Sequence, residues 1–248
     1  TLLLVDGNSL IHRGFHAIPH LSTKSGEPTN GVYGFALLFL KALKELRPDY
    51  VAVAFDLPEP TFRDKLYEPY KAKRIKAPDE LYRQIPRVKE LVKAFDLPIY
   101  ELPGYEADDL IGSLAYLAKK EPSLDAIILT GDLDTLQLVD ERVKVYTPKQ
   151  GLIETKLYDK AAVSKRYGLN ISQLVDYRAL RGDPSDNIPG VKGVGEKTAV
   201  ELLQKFGTLE KIYDYLTAPS PPRGEGNNEE IIRPRVAKLL VDHKPDAE

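Results

Sequence analysis

Three apolar runs in this chain end at an aspartate: Leu2-Leu3-Leu4-Val5 before Asp6, Val51-Ala52-Val53-Ala54-Phe55 before Asp56, and Ala126-Ile127-Ile128-Leu129, which Thr130-Gly131 joins to Asp132. None alternates apolar with polar positions, so each predicts a strand buried on both faces, as in a parallel sheet. Each strand would deliver its aspartate to the carboxyl edge. Between the runs, Gly31 to Leu46, Asp79 to Phe95 and Ala107 to Lys120 repeat their apolar positions at helical spacing. Strand alternating with helix predicts an α/β fold, a mainly parallel sheet flanked by helices through right-handed crossovers. The working crevice of such folds lies beyond the carboxyl ends of the strands, where aspartates distant in sequence can meet.

After Tyr146 the pattern changes. Residues 159–216 read as short helices, broken at Gly182-Asp183-Pro184-Ser185-Asp186-Asn187 and again by the glycines from Gly190 to Gly195. The expected division is a core over 1–158 and a helical subdomain over 159–248. Within the latter, the stretch 218–230 carries three prolines and two glycines and predicts a flexible loop, and Ile231 to His243 predicts a further helix. No internal repeat is evident. Position 1 is not methionine and the last residues look like the start of a continuation, so the expectation is a piece of a longer chain.

Composition narrows the chemistry. Charged residues make up 29%, the longest apolar stretches, such as Phe35 to Leu40, are far too short to span a bilayer, and no signal-peptide pattern opens the chain. A cytoplasmic location with no membrane partner is expected. Cysteine is absent, so a metal would have to be held by oxygen or by the four histidines. Oxygen ligands favour magnesium or manganese. His12, His16, His20 and His243 show no metal-binding spacing, and no Ser/His/Asp constellation is present, which favours metal-activated water over a side-chain nucleophile.

The acids cluster. Beside Asp6 and Asp56 stand Glu106, Asp108 and Asp109 at the head of a predicted helix, Asp132 and Asp134 after a strand, and Asp183 and Asp186 in a loop. Each group has an ordinary explanation as well: helix-dipole complementation for the first, Asx turns for the others. Convergence on one sheet edge favours a metal site, because several carboxylates in one low-dielectric space need a cation or a proton. With nine of the 37 acids set aside, the 35 basic residues outnumber the remaining 28, which offsets the formal net charge of −2 as an argument against nucleic acid.

From Phe62 to Lys76, Arg63, Lys65, Lys71, Lys73, Arg74 and Lys76 interleave with Phe62, Tyr67 and Tyr70. Cations neutralise phosphates and rings stack on bases, a combination suited to single-stranded nucleic acid; a solvated amphipathic helix fits the same residues. Gly190-Val191-Lys192-Gly193-Val194-Gly195-Glu196-Lys197 leads into a helix. Its spacing is not that of a P-loop, but glycine backbone at a helix start, flanked by Lys192 and Lys197, suits a backbone phosphate.

Val5-Asp6-Gly7-Asn8, Ala54-Phe55-Asp56, Thr61-Phe62-Arg63, Tyr70-Lys71-Ala72-Lys73-Arg74, Gly104-Tyr105-Glu106-Ala107-Asp108-Asp109, Gly131-Asp132-Leu133-Asp134-Thr135 and Gly182-Asp183-Pro184-Ser185-Asp186-Asn187-Ile188-Pro189-Gly190 occur in this order. Together they resemble the 5′-nuclease domain of bacterial DNA polymerase I and related flap endonucleases, over residues 2 to about 215. The resemblance implies a PIN-like core with a helical arch over about 62–90, and a helix-three-turn-helix over about 171–205. It implies that all nine acids bind or neighbour two magnesium ions, with manganese able to substitute. It also implies that Tyr70, Lys71 and Arg74 act at the scissile phosphate. Arg13, Phe62, Arg63, Lys73, Gly190, Lys192, Gly193, Gly195 and Lys197 would contact DNA, with potassium able to bind the glycine turn. The activity implied is hydrolysis at DNA 5′ flaps, nicks and 5′ ends, in primer removal during replication and repair. It would be carried out by a nucleoid-associated monomer, with a polymerase domain to follow. Leu133 departs from the family pattern, which often has lysine there. A PIN-type ribonuclease is the competing enzyme class, and a non-catalytic nucleic-acid module the competing binding class.

Overall fold

The computed structural model describes residues 1–149, 152, 154–218 and 232–247. Tertiary contacts divide the chain into two units, one of Thr1–Leu66 with Ile75–Ala162 and one of Tyr67–Arg74 with Val163–Glu248. The division departs from the expected 1–158 and 159–248 chiefly because Tyr67–Arg74, read as part of an arch on the core, groups with the second unit.

The first unit opens with β1 (Leu2–Asp6), α1 (Gly7–Ala17), α2 (Asn30–Leu46) and β2 (Tyr50–Ala54). It continues through α3 (Phe62–Leu66), α4 (Asp79–Tyr82), α5 (Ile85–Ala94), β3 (Ile99–Tyr100), α6 (Ala107–Ala118), β4 (Ala126–Leu129), β5 (Val143–Pro148) and β6 (Thr155–Tyr158). The described strands form one sheet in the order β3-β2-β1-β4-β5-β6, parallel except for the antiparallel β5–β6 pair. The three aspartate-terminated runs are its centre. Asp6 stands opposite Ala54, and Val5 opposite Leu129, so their carboxyl ends come level. Leu3, Val5, Val53 and Leu129 are fully buried with Leu10, Ile11, Phe35 and Phe39 from α1 and α2.

Two local features join the helices of this unit to one another. Gly14 and Gly34 meet where α1 crosses α2, so closely that a Cβ on Gly34 would lie 2.3 Å from the Gly14 Cα. The fully buried Gln84 side chain caps α2: its Oε1 accepts from the Gly31 and Val32 amides at 2.8 and 3.2 Å, and its Nε2 donates to Asn30 Oδ1 and the Glu80 carbonyl, both at 3.1 Å.

The helix expected from Asp79 to Phe95 is two helices. Pro86, near the start of α5, lacks an amide proton and would crowd the carbonyl of Tyr82, where α4 stops. Likewise the stretch 62–90 is helical only in α3, in α4 and from Ile85. Residues 68–73 form turns and 67 and 74–78 are irregular, because Pro69 and Pro78 interrupt the hydrogen-bond ladder and Lys71 adopts a left-handed φ of 54°. The expected helical arch is therefore helical at its two ends and turn or coil over its middle, 67–78.

The remaining helices are α7 (Lys160–Tyr167), α8 (Leu174–Arg181), α9 (Glu196–Phe206), α10 (Leu209–Thr217), α11 (Pro234–Asp242) and α12 (Lys244–Ala247). In the second unit Leu180, Leu203, Ile212 and Leu240 are completely buried in a core of their own. The glycine-punctuated connection from α8 to α9 is compact: Gly182, Gly190 and Gly193 have φ of 75°, 59° and 87°, and a Cβ on Gly190 would fall 2.2 Å from the Gly182 nitrogen. The last long helix begins at Pro234, a residue preset for a helical first turn. Of the loop expected over 218–230, all but Ala218 lies outside the described residues, as does Ile231. Among the described residues no helix is long and apolar enough to cross a membrane.

Candidate active site

At the carboxyl edge of the central strands the side chains are built in from below. Asp6 is 5% exposed and caps α1, its Oδ1 accepting the Ser9 amide at 2.9 Å and its Oδ2 the Thr130 hydroxyl at 2.8 Å. The same Thr130 oxygen accepts the Asp132 amide at 2.9 Å, and Ser9 Oγ accepts the Gly131 amide at 2.9 Å. Asp56, two residues past β2, accepts the Ala107 amide at 2.7 Å and so meets the first turn of α6, while its own amide donates to Asn8 Oδ1 at 3.3 Å. Thr130, Ser9 and Asn8 thus aim the acids. Nothing in the sequence marks them for that role, because a buried hydroxyl between two acid-bearing strand ends is a signal only once the strands are known to be neighbours.

The electrostatics follow from crowding. Burial, then Asp56 and Asp132, push Asp6 up to about 7 against the pull of its hydrogen bonds. Burial, then Asp6, Asp132, Asp56 and Glu106, push Asp108 up to about 8. Five carboxylates therefore share one field. Oxygen donors in mutual repulsion suit a hard divalent cation in charge and in donor type. Among the described residues no group of three or more histidine, aspartate or glutamate side chains is arranged to hold an ion.

Not every acid of the first unit is a plain donor. Glu106 is the N-cap of α6, and Asp109 accepts the Glu106 amide at 2.9 Å in a capping box. Arg63 grips both oxygens of Asp109, at 2.7 and 2.8 Å. The dipole and capping explanation therefore describes Asp109, and Arg63, expected to contact DNA, is engaged with a carboxylate. Asp132 and Asp134 form the Asx turn that was their ordinary explanation, the Asp134 amide donating to Asp132 Oδ1 at 2.8 Å. Arg13 donates to the Lys149 carbonyl, and its buried Nε has no hydrogen-bond partner among the described residues. The Phe62 ring lies 5.6 Å from that of Tyr105 and 4.6 Å from the Arg63 guanidinium.

In the second unit, Asp183 and Asp186 sit in a turn closed by reciprocal bonds of 2.8 Å between Asp183 and Ile188. Burial raises the Asp183 carboxyl, but the Ser185 hydroxyl and amide and the Arg178 guanidinium outweigh it and hold the group below its ordinary value. Asp186 accepts the Tyr70 hydroxyl at 3.3 Å, with an Arg74 nitrogen at 4.0 Å. Lys71 lies with its ammonium 4.8 Å from the Tyr70 ring centre. Lys73, Lys192 and Lys197 are exposed, and Gly195 is the N-cap of α9.

Comparison with known proteins agrees with this architecture. Residues 1–168 match the family model described as the 5′-3′ exonuclease N-terminal resolvase-like domain, and residues 169–247 the 5′-3′ exonuclease C-terminal SAM fold. The chain is 49% identical over 247 residues to DNA polymerase I of Caldicellulosiruptor bescii, covering 97% of itself and 29% of that relative. It is 45% identical to a 5′-3′ exonuclease of Aquifex aeolicus, covering 86% of itself and 72% of the relative. The chain thus spans less than a third of the polymerases it matches. In fold it is similar to the bacteriophage T5 5′-exonuclease with bound zinc, with a TM-score of 0.78 at 20% identity over 99% of this chain and 86% of that one. A T5 flap endonuclease in complex with DNA and metal ions gives 0.77 at 20% identity, over 99% of this chain and 85% of that one. With both family models matched in sequence order and relatives near half identity along nearly the whole chain, this protein belongs to the 5′-3′ exonuclease family.

Proposed function

We propose that this chain is a metal-dependent 5′ nuclease that hydrolyses phosphodiester bonds at DNA 5′ flaps, nicks and 5′ ends, as in primer removal during replication and repair. The observation that carries the reading is the field shared by Asp6, Asp56, Glu106, Asp108 and Asp132, in which two acids are pushed toward protonation at neutral pH. Magnesium is the expected ion, two per site, with manganese as a substitute, and bound divalent metal supplies a low-pKa water and a Lewis acid for phosphoryl oxygens. Asp6, Asp56, Glu106, Asp108 and Asp132 would hold it. Asp109, Asp134, Asp183 and Asp186 are retained as ligands or their neighbours on the family resemblance alone.

The chain's own residues prepare the site in definite ways. Thr130 and the Ser9 amide each hold one oxygen of Asp6 in place. Burial and mutual repulsion favour the protonated forms of Asp6 and Asp108, so cation binding would be accompanied by proton release. Lys71 and Arg74 would add positive charge to the phosphorane-like transition state, beside the Tyr70 hydroxyl. Arg13, Phe62, Lys73, Lys192, Lys197 and the backbone at Gly190, Gly193 and Gly195 would contact DNA, and potassium would sit at the glycine turn. The family reading further makes the protein a cytoplasmic, nucleoid-associated monomer.

The test is a magnesium titration with end-labelled flapped, nicked and single-stranded DNA and a single-stranded RNA control, reading product size. Flap cleavage that Asp6→Asn and Asp132→Asn abolish while DNA binding persists is the expected result. Preference for RNA, or wild-type turnover by either variant, refutes the reading.

A further inference from the structure

Tyr70, Lys71 and Arg74 lie in a segment that proline and a left-handed residue keep from being a helix. Something other than a hydrogen-bond ladder must fix their positions. Inside the segment three turn bonds close locally, from the amides of Tyr70, Ala72 and Arg74 to the carbonyls of Tyr67, Pro69 and Lys71. These shape the turn but do not anchor it.

The anchor is the loop after α8. Asn187 Nδ2 donates to the Pro69 carbonyl at 2.7 Å, at the base of the turn. The Asn187 carbonyl receives the Tyr67 hydroxyl at 3.5 Å, and the Asp186 carbonyl accepts the Lys71 amide at 2.9 Å. Asn187 adopts a φ of 60°, a left-handed conformation that asparagine tolerates better than most side-chain-bearing residues. That conformation, at the turn of the reciprocal Asp183–Ile188 pair, aims both its amide group and its carbonyl at residues 67–69. The loop itself has little freedom, since its ends pass at Gly182 and Gly190 too closely to admit a Cβ.

We propose that Asn187 is a positioning residue, whose side-chain amide clamps the turn at Pro69 and thereby sets Tyr70, Lys71 and Arg74 for the reaction. The inference rests on the reading of those three residues as the groups that meet the scissile phosphate. Asn187 itself touches no substrate in this account. Displacing reactive groups by about an ångström costs on the order of 100-fold in rate, so loss of the clamp acts on turnover rather than on duplex affinity.

Two substitutions isolate the amide. Asn187→Asp keeps the shape and the tolerance for positive φ but removes the donor, and Asn187→Gly keeps the backbone freedom without adding charge. Each is measured for kcat and KM on a 5′-flap substrate with magnesium, for duplex affinity in EDTA, for melting temperature, and for hydrogen exchange over residues 67–74 by mass spectrometry. In both variants we expect kcat to fall at least about 10-fold, with duplex affinity within about twofold and faster exchange confined to 67–74. Unchanged exchange and unchanged kcat in Asn187→Gly overturn the proposal, as does a loss in Asn187→Asp alone, which would trace to the added charge. A kcat loss accompanied by a general rise in exchange overturns it too, because the residue would then be holding the fold. If the wild-type protein cleaves no DNA, the functional reading fails, while the exchange comparison still decides whether the clamp exists.

Discussion

Asp6 and Asp108 have the titration with the clearest expected signature in solution. Their folded-state values, about 7 and about 8, lie above the 3.8 of an ordinary aspartate, so in the native state they bind protons more tightly than in the unfolded chain. The stability they contribute is therefore fully present below about pH 4 and is lost as pH rises through 7 to 8. Melts of metal-free protein should lose on the order of a few kcal/mol over this window relative to an Asp108→Asn variant. Magnesium should raise the melting temperature more at pH 8 than at pH 5, with protons released on binding near pH 7. Arg63 gives a second residue-level expectation. Because it holds Asp109 with two bonds and Asp109 holds the Glu106 amide, Arg63→Gln should weaken manganese binding, read by electron paramagnetic resonance, by about 10- to 100-fold. If Arg63 were instead a phosphate contact, the salt dependence of DNA binding would fall by about one charge and manganese affinity would stay unchanged.

At the scale of elements, apolar runs were legible wherever a segment is buried on both faces. β1, β2 and β4 are the sheet centre and needed no partner to be recognised. β3, of two residues, and the antiparallel pair β5 and β6 were not picked out, because a short or edge strand has too few apolar positions to stand apart from a loop. Helix breaks were misread for a related reason: periodicity continues through Arg83-Gln84 although Pro86 forbids a continuous ladder. Close contacts between elements escape sequence altogether. Gly14 and Gly34 look like ordinary helix glycines, yet Gly34→Ala should cost about 1–3 kcal/mol in urea unfolding, because the new Cβ meets backbone rather than a movable side chain. Equal stability of the variant would mean that α1 and α2 can separate without loss.

At the scale of the molecule, the described residues include a sheet core around Leu3 and Val53 and a separate helical core around Leu203 and Leu240. Leu203→Ala and Leu3→Ala should each cost about 2–5 kcal/mol. Differential scanning calorimetry should show Leu203→Ala lowering a transition that Leu3→Ala leaves in place; a single transition moved equally by both would show that the units unfold together. Carboxylates spaced along the chain were visible in the sequence because each ends an apolar run or sits in a motif. Their roles were not. Whether Asp109 faces a metal or a guanidinium, and whether Asp132 does more than close a turn, depends on neighbours 46 residues away in the one case and 2 in the other.

By itself the sequence determined the parallel sheet centre, the acids at its carboxyl edge and the family, because buried strands and motif residues are local patterns that survive without coordinates. Tertiary structure alone decided which acids share a field, that Arg63 serves Asp109, that the 67–74 turn is held by Asn187, and that α1 and α2 touch through glycine. Each of these depends on distances between segments far apart in the chain, and interactions that fall off over a few ångströms leave no mark on sequence spacing.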